Sequence, residues 1–154
     1  MSQLNDIDKR ILKLLQANGR LSAKEIADKI GLTVTPTYER IRKIERSGII
    51  KAVVALLDKE HLETRTIVFC NVSLQVHSLR VIQNFEKSVK KMQEVMECYH
   101  ITGNYDYLLK VAVKDMNGYQ HFLTQKLAIM EHIAQVHSNF VMTEVKYSTA
   151  YELG

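Results

Sequence analysis

Four cations, Arg40, Arg42, Lys43 and Arg46, crowd into one short stretch, and two hydroxyls, Thr35 and Thr37, precede them. Guanidinium and ammonium groups hold phosphate oxygens, and hydroxyls and Arg forks also hydrogen-bond base edges. On a helix able to enter a groove, such a stretch suits duplex DNA. Alone, it also fits an ordinary amphipathic helix with a solvated basic face. A second group is Gly103-Asn104-Tyr105-Asp106-Tyr107. Glycine leaves backbone open to close approach, backbone N–H groups hold a carboxylate, and a carboxylate holds an ammonium. That combination suits an α-amino acid. From the local residues alone a plain β-turn is the simpler reading, because Gly, Asn and Asp are turn formers.

Other chemistry finds little support. His61, His77, His100, His121, His132 and His137 are scattered, with no i, i+4 pair around an acid and no Cys-x-x-Cys, so no metal site is expected. No phosphate loop, nucleophile elbow or dinucleotide fingerprint occurs, so no catalytic residues, no cofactor and no enzyme activity are expected. Cys70 and Cys98 are too few for a disulfide framework and sit in apolar runs, which points to a reduced, cytoplasmic compartment. The first residues do not read as a signal peptide, and no apolar run nears the ~20 residues of a membrane span. Residues 1–50 carry ten Lys/Arg against six Asp/Glu, whereas residues 51–154 carry eleven of each. All of the net charge of +4 therefore lies in the first third, where a polyanion would meet the chain.

The elements that must position these groups show in the apolar spacing. Leu4, Ile7, Ile11, Leu12, Leu14 and Leu15 recur at threes and fours behind Asn5 or Asp6 as a cap, and Asn18-Gly19 stops that helix. Ser22 with Glu25 is a capping-box pattern ahead of Ile26, Ala27 and Ile30, and Gly31 closes the second helix. Thr35-Pro36 predicts the start of the third, with proline at the first helical position and Tyr38, Ile41 and Ile44 facing inward. Gly31-Leu32-Thr33-Val34 has the length of a helix-turn-helix turn. The third helix would then place Thr35, Thr37 and Arg40 at or near bases, and Arg42, Lys43 and Arg46 on phosphates.

Lys51 to Leu57 is β-like, and Asp58 to Arg65 is polar and loop-like. A β-rich run then covers Ile67 to Leu74, a helix Leu79 to Met92, strands Val95 to Thr102 and Tyr107 to Val113, a helix Met116 to Met130 and a strand Ile133 to Met142. Thr143 to Leu153 extends or follows that strand. The order β-α-β-β-α-β is the ferredoxin-like arrangement. The expected class is α+β, with a winged-type helix-turn-helix domain over residues 1–50, a β-hinge connector over 51–65 and a ferredoxin-like domain over 66–154. Helices cover one sheet face only, so the other face must find a partner, which predicts a homodimer.

Ile26-Ala27-Asp28-Lys29-Ile30-Gly31-Leu32-Thr33, followed by Glu39-Arg40-Ile41-Arg42-Lys43-Ile44-Glu45-Arg46-Ser47-Gly48-Ile49-Ile50, resembles the Lrp/AsnC ("feast/famine") regulators of bacteria and archaea, and the resemblance covers essentially the whole chain. It implies a sequence-specific transcriptional regulator on palindromic duplex DNA, modulated by an amino acid. It also implies a strand-containing hinge that pairs between two subunits, and dimers that commonly assemble to octamers. The family's sensing domain carries a glycine and, three residues on, an aspartate, matched here by Gly103 and Asp106, with Asn104 and Tyr105 between them. Family members often place two hydroxyls, one residue apart, on the fourth strand facing this pocket. The matching positions here are Val136 and Ser138, which tilts the expected effector toward an apolar or sulfur-containing side chain. The alternative is a nucleoid-type architectural DNA-binding protein with no effector response.

Overall fold

A computed structural model describes residues 4–154. The contacts divide the chain into two units, one holding the residues up to Leu56 together with Lys146–Gly154, the other Leu57–Val145. In the first unit the helices are α1 (Asp6–Ala17), α2 (Ala23–Ile30) and α3 (Val34–Arg46). Asn5 caps α1 by accepting the Asp8 N–H at 2.9 Å. The expected capping box on α2 is present, with the Glu25 N–H donating to Ser22 Oγ at 3.2 Å and the Ser22 N–H donating to Glu25 Oε2 at 2.8 Å. Gly31 ends α2 at φ 74°, a left-handed conformation that costs glycine little. The core is Ile11, Leu12, Ile26, Ile30 and Ile44.

The start of α3 differs from the expectation. Thr33 is the N-cap and Val34 the first helical residue, which makes Pro36 the third. Its missing N–H is still harmless, because the first turn has no intrahelical acceptors. The inward face differs as well. Thr37, Ile41 and Ile44 point inward, and Tyr38 is 48% exposed. At 3.6 residues per turn, positions 37, 41 and 44 lie within about 60° of arc, whereas 38, 41 and 44 spread over about 120°.

The chain from Lys51 to Asp58 runs without regular structure, where a strand was expected. A strand needs another backbone to pair with. None among the described residues pairs here, so Val53, Val54, Leu56 and Leu57 stand exposed. The last residues depart from the expected 66–154 division. The Tyr151 N–H donates to Gln16 Oε1 at 2.7 Å, Gln16 Nε2 donates to the Tyr151 carbonyl at 3.0 Å, and Leu153 packs on the helical core.

The second unit contains β1 (Thr66–Leu74), α4 (Leu79–Val89), β2 (Val95–His100), β3 (Tyr107–Val113), α5 (Met116–Phe122) and β4 (Ile133–Phe140). The expected β-α-β-β-α-β order is found, as one antiparallel sheet in the order β2-β3-β1-β4. Both helices stop short of their expected ends, and α5 passes into a π-helical turn at Leu123–Leu127. Alternation is strict on the central strands. Val68, Cys70, Val72 and Leu74 of β1 and Tyr107, Leu109, Val111 and Val113 of β3 are buried with Phe85, Val89, Tyr119, Phe122 and Leu127. Ile67, Phe69, Leu108 and Ala112 line the opposite, half-exposed face.

Leu109 lies at the centre of that core. Leu109→Ala is expected to lower the stability of the second unit by about 2–5 kcal/mol, from lost burial and a residual cavity. Urea unfolding followed by tyrosine fluorescence measures it. A change within about 0.5 kcal/mol would mean that the site collapses freely or is not packed as described.

Candidate functional site

The turn after α2 and the inward stripe of α3 decide which of its side chains reach solvent. Thr35 is exposed, as expected of a group that meets DNA. Thr37 is not available: it has no exposed surface, and its Oγ1 donates to the Thr33 carbonyl at 2.9 Å. Its expected base contact is therefore corrected to an internal role. Arg40 is drawn to α1, where Nη1 lies 3.2 Å from Asp8 Oδ1 and the side chain keeps 36% exposure. That guanidinium braces α1 against α3. Arg42, Lys43 and Arg46 are exposed, with no ion-pair partner among the described residues. Tyr38 joins them on the outer surface, with the Arg42 guanidinium 5.9 Å from its ring centroid. The spacing of three shared by Tyr38, Ile41 and Ile44 had pointed Tyr38 inward. The better phase of Thr37, Ile41 and Ile44 was the signal that could have found it.

In the second unit, the loop between β2 and β3 carries the expected group. Gly103 has φ 114°, and a Cβ built there would meet nothing within 4 Å, so glycine is needed for conformation rather than for space. Asp106 is anchored on four sides. Its N–H donates to the Val72 carbonyl at 2.9 Å, and its carbonyl accepts the Ile101 N–H at 2.8 Å. Its Oδ2 accepts the Leu74 N–H at 2.7 Å, and its Oδ1 lies 2.8 Å from His77 Nε2. The Leu74 N–H above all, helped by His77, holds the carboxyl below the ordinary aspartate range against the opposing effect of burial. His77 lies 29 positions away in sequence, and no local pattern marked it.

The Asn104 carbonyl accepts the Ser73 hydroxyl at 3.4 Å, and the Tyr105 ring lies 6.3 Å from the His137 ring. Val136 and Ser138 are not brought to this loop. Val136 packs on the helix-covered core, opposite Val72. Ser138 hydrogen-bonds the Tyr119 hydroxyl, which in turn lies 3.2 Å from Cys70 Sγ. Burial, and then the Cys70 partner, push the Tyr119 hydroxyl far above its ordinary range, so it stays neutral. What β4 offers the loop is His137, between the two expected residues. A groove of about 450 Å³ lies nearby, lined by Glu86, Cys98, His100 and Tyr107 among others, but no residue from Gly103 to Asp106 lines it.

A basic helix set outward by a helix-turn-helix, joined to an α+β unit with an anchored glycine–aspartate loop, defines a class: a DNA-binding regulator with a separate ligand-binding domain. Residues 4–51 match the winged helix-turn-helix DNA-binding model, and residues 67–151 match the Lrp/AsnC ligand-binding domain. The chain belongs to the Lrp/AsnC family of transcriptional regulators. It is 38% identical to the Bkd operon transcriptional regulator of Pseudomonas aeruginosa, over 97% of this chain and 98% of that one. It is 37% identical to the leucine-responsive regulatory protein of Escherichia coli, over 94% of this chain and 88% of that one. A transcriptional regulator from Neisseria meningitidis, solved as its complex with L-methionine, superposes with a TM-score of 0.93 at 33% identity, covering 97% of each chain. These relatives are regulators, not enzymes. Among the described residues no helix is long and apolar enough to cross a membrane, and no group of three or more His, Cys, Asp or Glu could hold a metal ion.

The Asp106 carboxylate makes its own prediction. Its folded pKa is depressed, so its stabilisation is present at neutral pH, above the unfolded value, and disappears as pH falls through the folded value. Asp106→Ala is expected to cost about 1 kcal/mol at pH 7, with the gap to wild type closing below about pH 4. Urea midpoints measured across that range test it. A gap independent of pH would remove the charged carboxylate from the account.

Proposed function

We propose that this regulator binds an amino acid at Gly103, Asn104, Tyr105 and Asp106, and that the bound amino acid sets its assembly or its affinity for DNA. The observation that carries this reading is the loop itself. A glycine with open space around it exposes backbone N–H groups to a carboxylate, and a fixed aspartate beside them suits an ammonium. The loop has no walls of its own, which fits a site closed by a second subunit. The L-methionine complex of the Neisseria relative supports an effector with a sulfur-containing side chain. Val136 and Ser138 face the core, so they bear on the pocket through packing rather than by direct contact.

On the DNA side, Thr35 meets bases, and Lys43 and Arg46 meet phosphates. Two subunits present two such helices, which suits palindromic half-sites about one helical turn, or a multiple of it, apart. The exposed apolar connector and the half-exposed sheet face supply the surfaces for a homodimer, and further contacts between dimers give an octamer. The protein works in the cytoplasm, where its DNA and its amino acids are found.

A thermal-shift screen of the full chain against each standard amino acid, with Asp106→Ala beside it, tests the sensor. An amino acid at about 100 times its Kd is expected to add about 2.7 kcal/mol of stability, and the variant is expected to lose that gain. In parallel, duplex affinity is expected to fall steeply between 50 and 200 mM salt, as counterion release requires (about 10³-fold or more for six phosphate contacts). Salt-dependent DNA binding with no response to any amino acid would replace the sensor with an effector-independent architectural protein.

A further inference from the structure

On the outward face of α3, Thr35, Tyr38, Glu39, Arg42 and Arg46 recur at helical spacing, and all are exposed. Tyr38 is the fifth residue of α3, within the part of a recognition helix that reaches base edges. An aromatic ring exposed to water on a small basic unit serves no core, since the unit's own core closes behind it with Ile41 and Ile44. The ring instead sits under the Arg42 guanidinium at 5.9 Å, one helical turn further on. A cation–π contact of this kind restricts a side chain that otherwise has many rotamers. Glu39 adds a constraint. It is exposed beside this pair, and its carboxylate would repel a phosphate. That part of the face therefore suits the interior of a groove better than its rim. Arg40, the other arginine of this turn, is already engaged with Asp8.

We infer that Tyr38 and Arg42 act together as the base-reading pair of α3: the Tyr38 ring orients the Arg42 guanidinium for two hydrogen bonds to the O6 and N7 of a guanine in the major groove. This assigns Arg42 to a base rather than to a phosphate, makes Tyr38 a positioning residue, and leaves the phosphates to Lys43 and Arg46. It rests on the assignment of α3 as the DNA-facing helix.

The test uses the full-length protein and a duplex that wild type enriches from a random-sequence library. Affinities for that duplex and for a random duplex are measured for wild type, Tyr38→Ala, Tyr38→Phe, Arg42→Ala and Arg42→Lys. Each guanine of the site is also replaced in turn by 7-deazaguanine, which lacks the N7 acceptor. Arg42→Ala and Arg42→Lys are expected to lose roughly ten- to hundredfold on the selected duplex and little on the random one. One deaza position is expected to weaken wild type while leaving Arg42→Ala indifferent. Tyr38→Ala is expected to blunt that same sensitivity, and Tyr38→Phe, which keeps the ring, to restore it. Both side chains are solvent-exposed, so unchanged melting temperatures will show that the fold is intact. If Arg42→Ala weakens both duplexes alike and lowers the salt slope by about one, Arg42 is a phosphate contact and the inference falls. It falls too if no guanine couples to Arg42, or if Tyr38→Ala leaves the coupling whole. A wild-type protein that enriches no sequence would overturn the DNA-reading assignment of α3 itself, a result distinct from an enriched site without coupling.

Discussion

The rotation of α3 about its own axis is the constraint on which the DNA-facing surface depends. A buried hydroxyl needs an acceptor, and Thr37 finds one in the Thr33 carbonyl one turn back. With that need met inside the helix, Thr37 can lie against the core together with Ile41 and Ile44. Every other side chain of α3 is then assigned a direction. Arg40 falls at the flank, close enough to α1 to meet Asp8, and Tyr38, Arg42 and Arg46 fall outside. Turning the helix by one residue would put Tyr38 in the core and expose a different set of donors.

The same logic applies in the second unit, where polar groups suited to ligands are partly engaged within the protein. Asp106 holds the start of the segment after β1 through Leu74 and His77, and Ser138 completes a chain through Tyr119 to Cys70. A carboxylate already oriented by a backbone N–H meets a ligand with little loss of side-chain freedom. A serine turned into the core instead tunes how β4 packs on α5. Residue type alone does not separate these two uses, because the difference lies in where each sits, Asp106 in the loop before β3 and Ser138 on the helix-covered face of β4.

Much of the architecture could be read along the chain. The capping box at Ser22, the left-handed Gly31 and the alternation on β1 and β3 are local signals, and each produced the element it promised. The β-α-β-β-α-β order followed from them. Misreadings arose where the deciding partner is distant. The phase of α3 turned on a Thr that side-chain type does not mark as buried. The segment from Lys51 to Leu57 is a different case: it was expected to pair with a second subunit, and within one chain no described strand pairs with it. At the ligand loop, Gly103 and Asp106 stood out by type and spacing, but His77 and His137 arrive from other strands and loops, and no short-range pattern announces them.

The two-way hydrogen bond between Gln16 and Tyr151, with Leu153 beside it, changes the topology of the molecule. The last segment of the chain returns to the unit in which the chain began, so the α+β unit is an insertion with both of its ends rooted in the helical unit. The two units are thus joined by two covalent crossings, at Leu56–Leu57 and at Val145–Lys146, instead of one flexible string. The helical unit thus takes part of its covering, at Gln16 and around Leu153, from residues that follow β4 in the chain, while its buried core is built from α1, α2 and α3 alone.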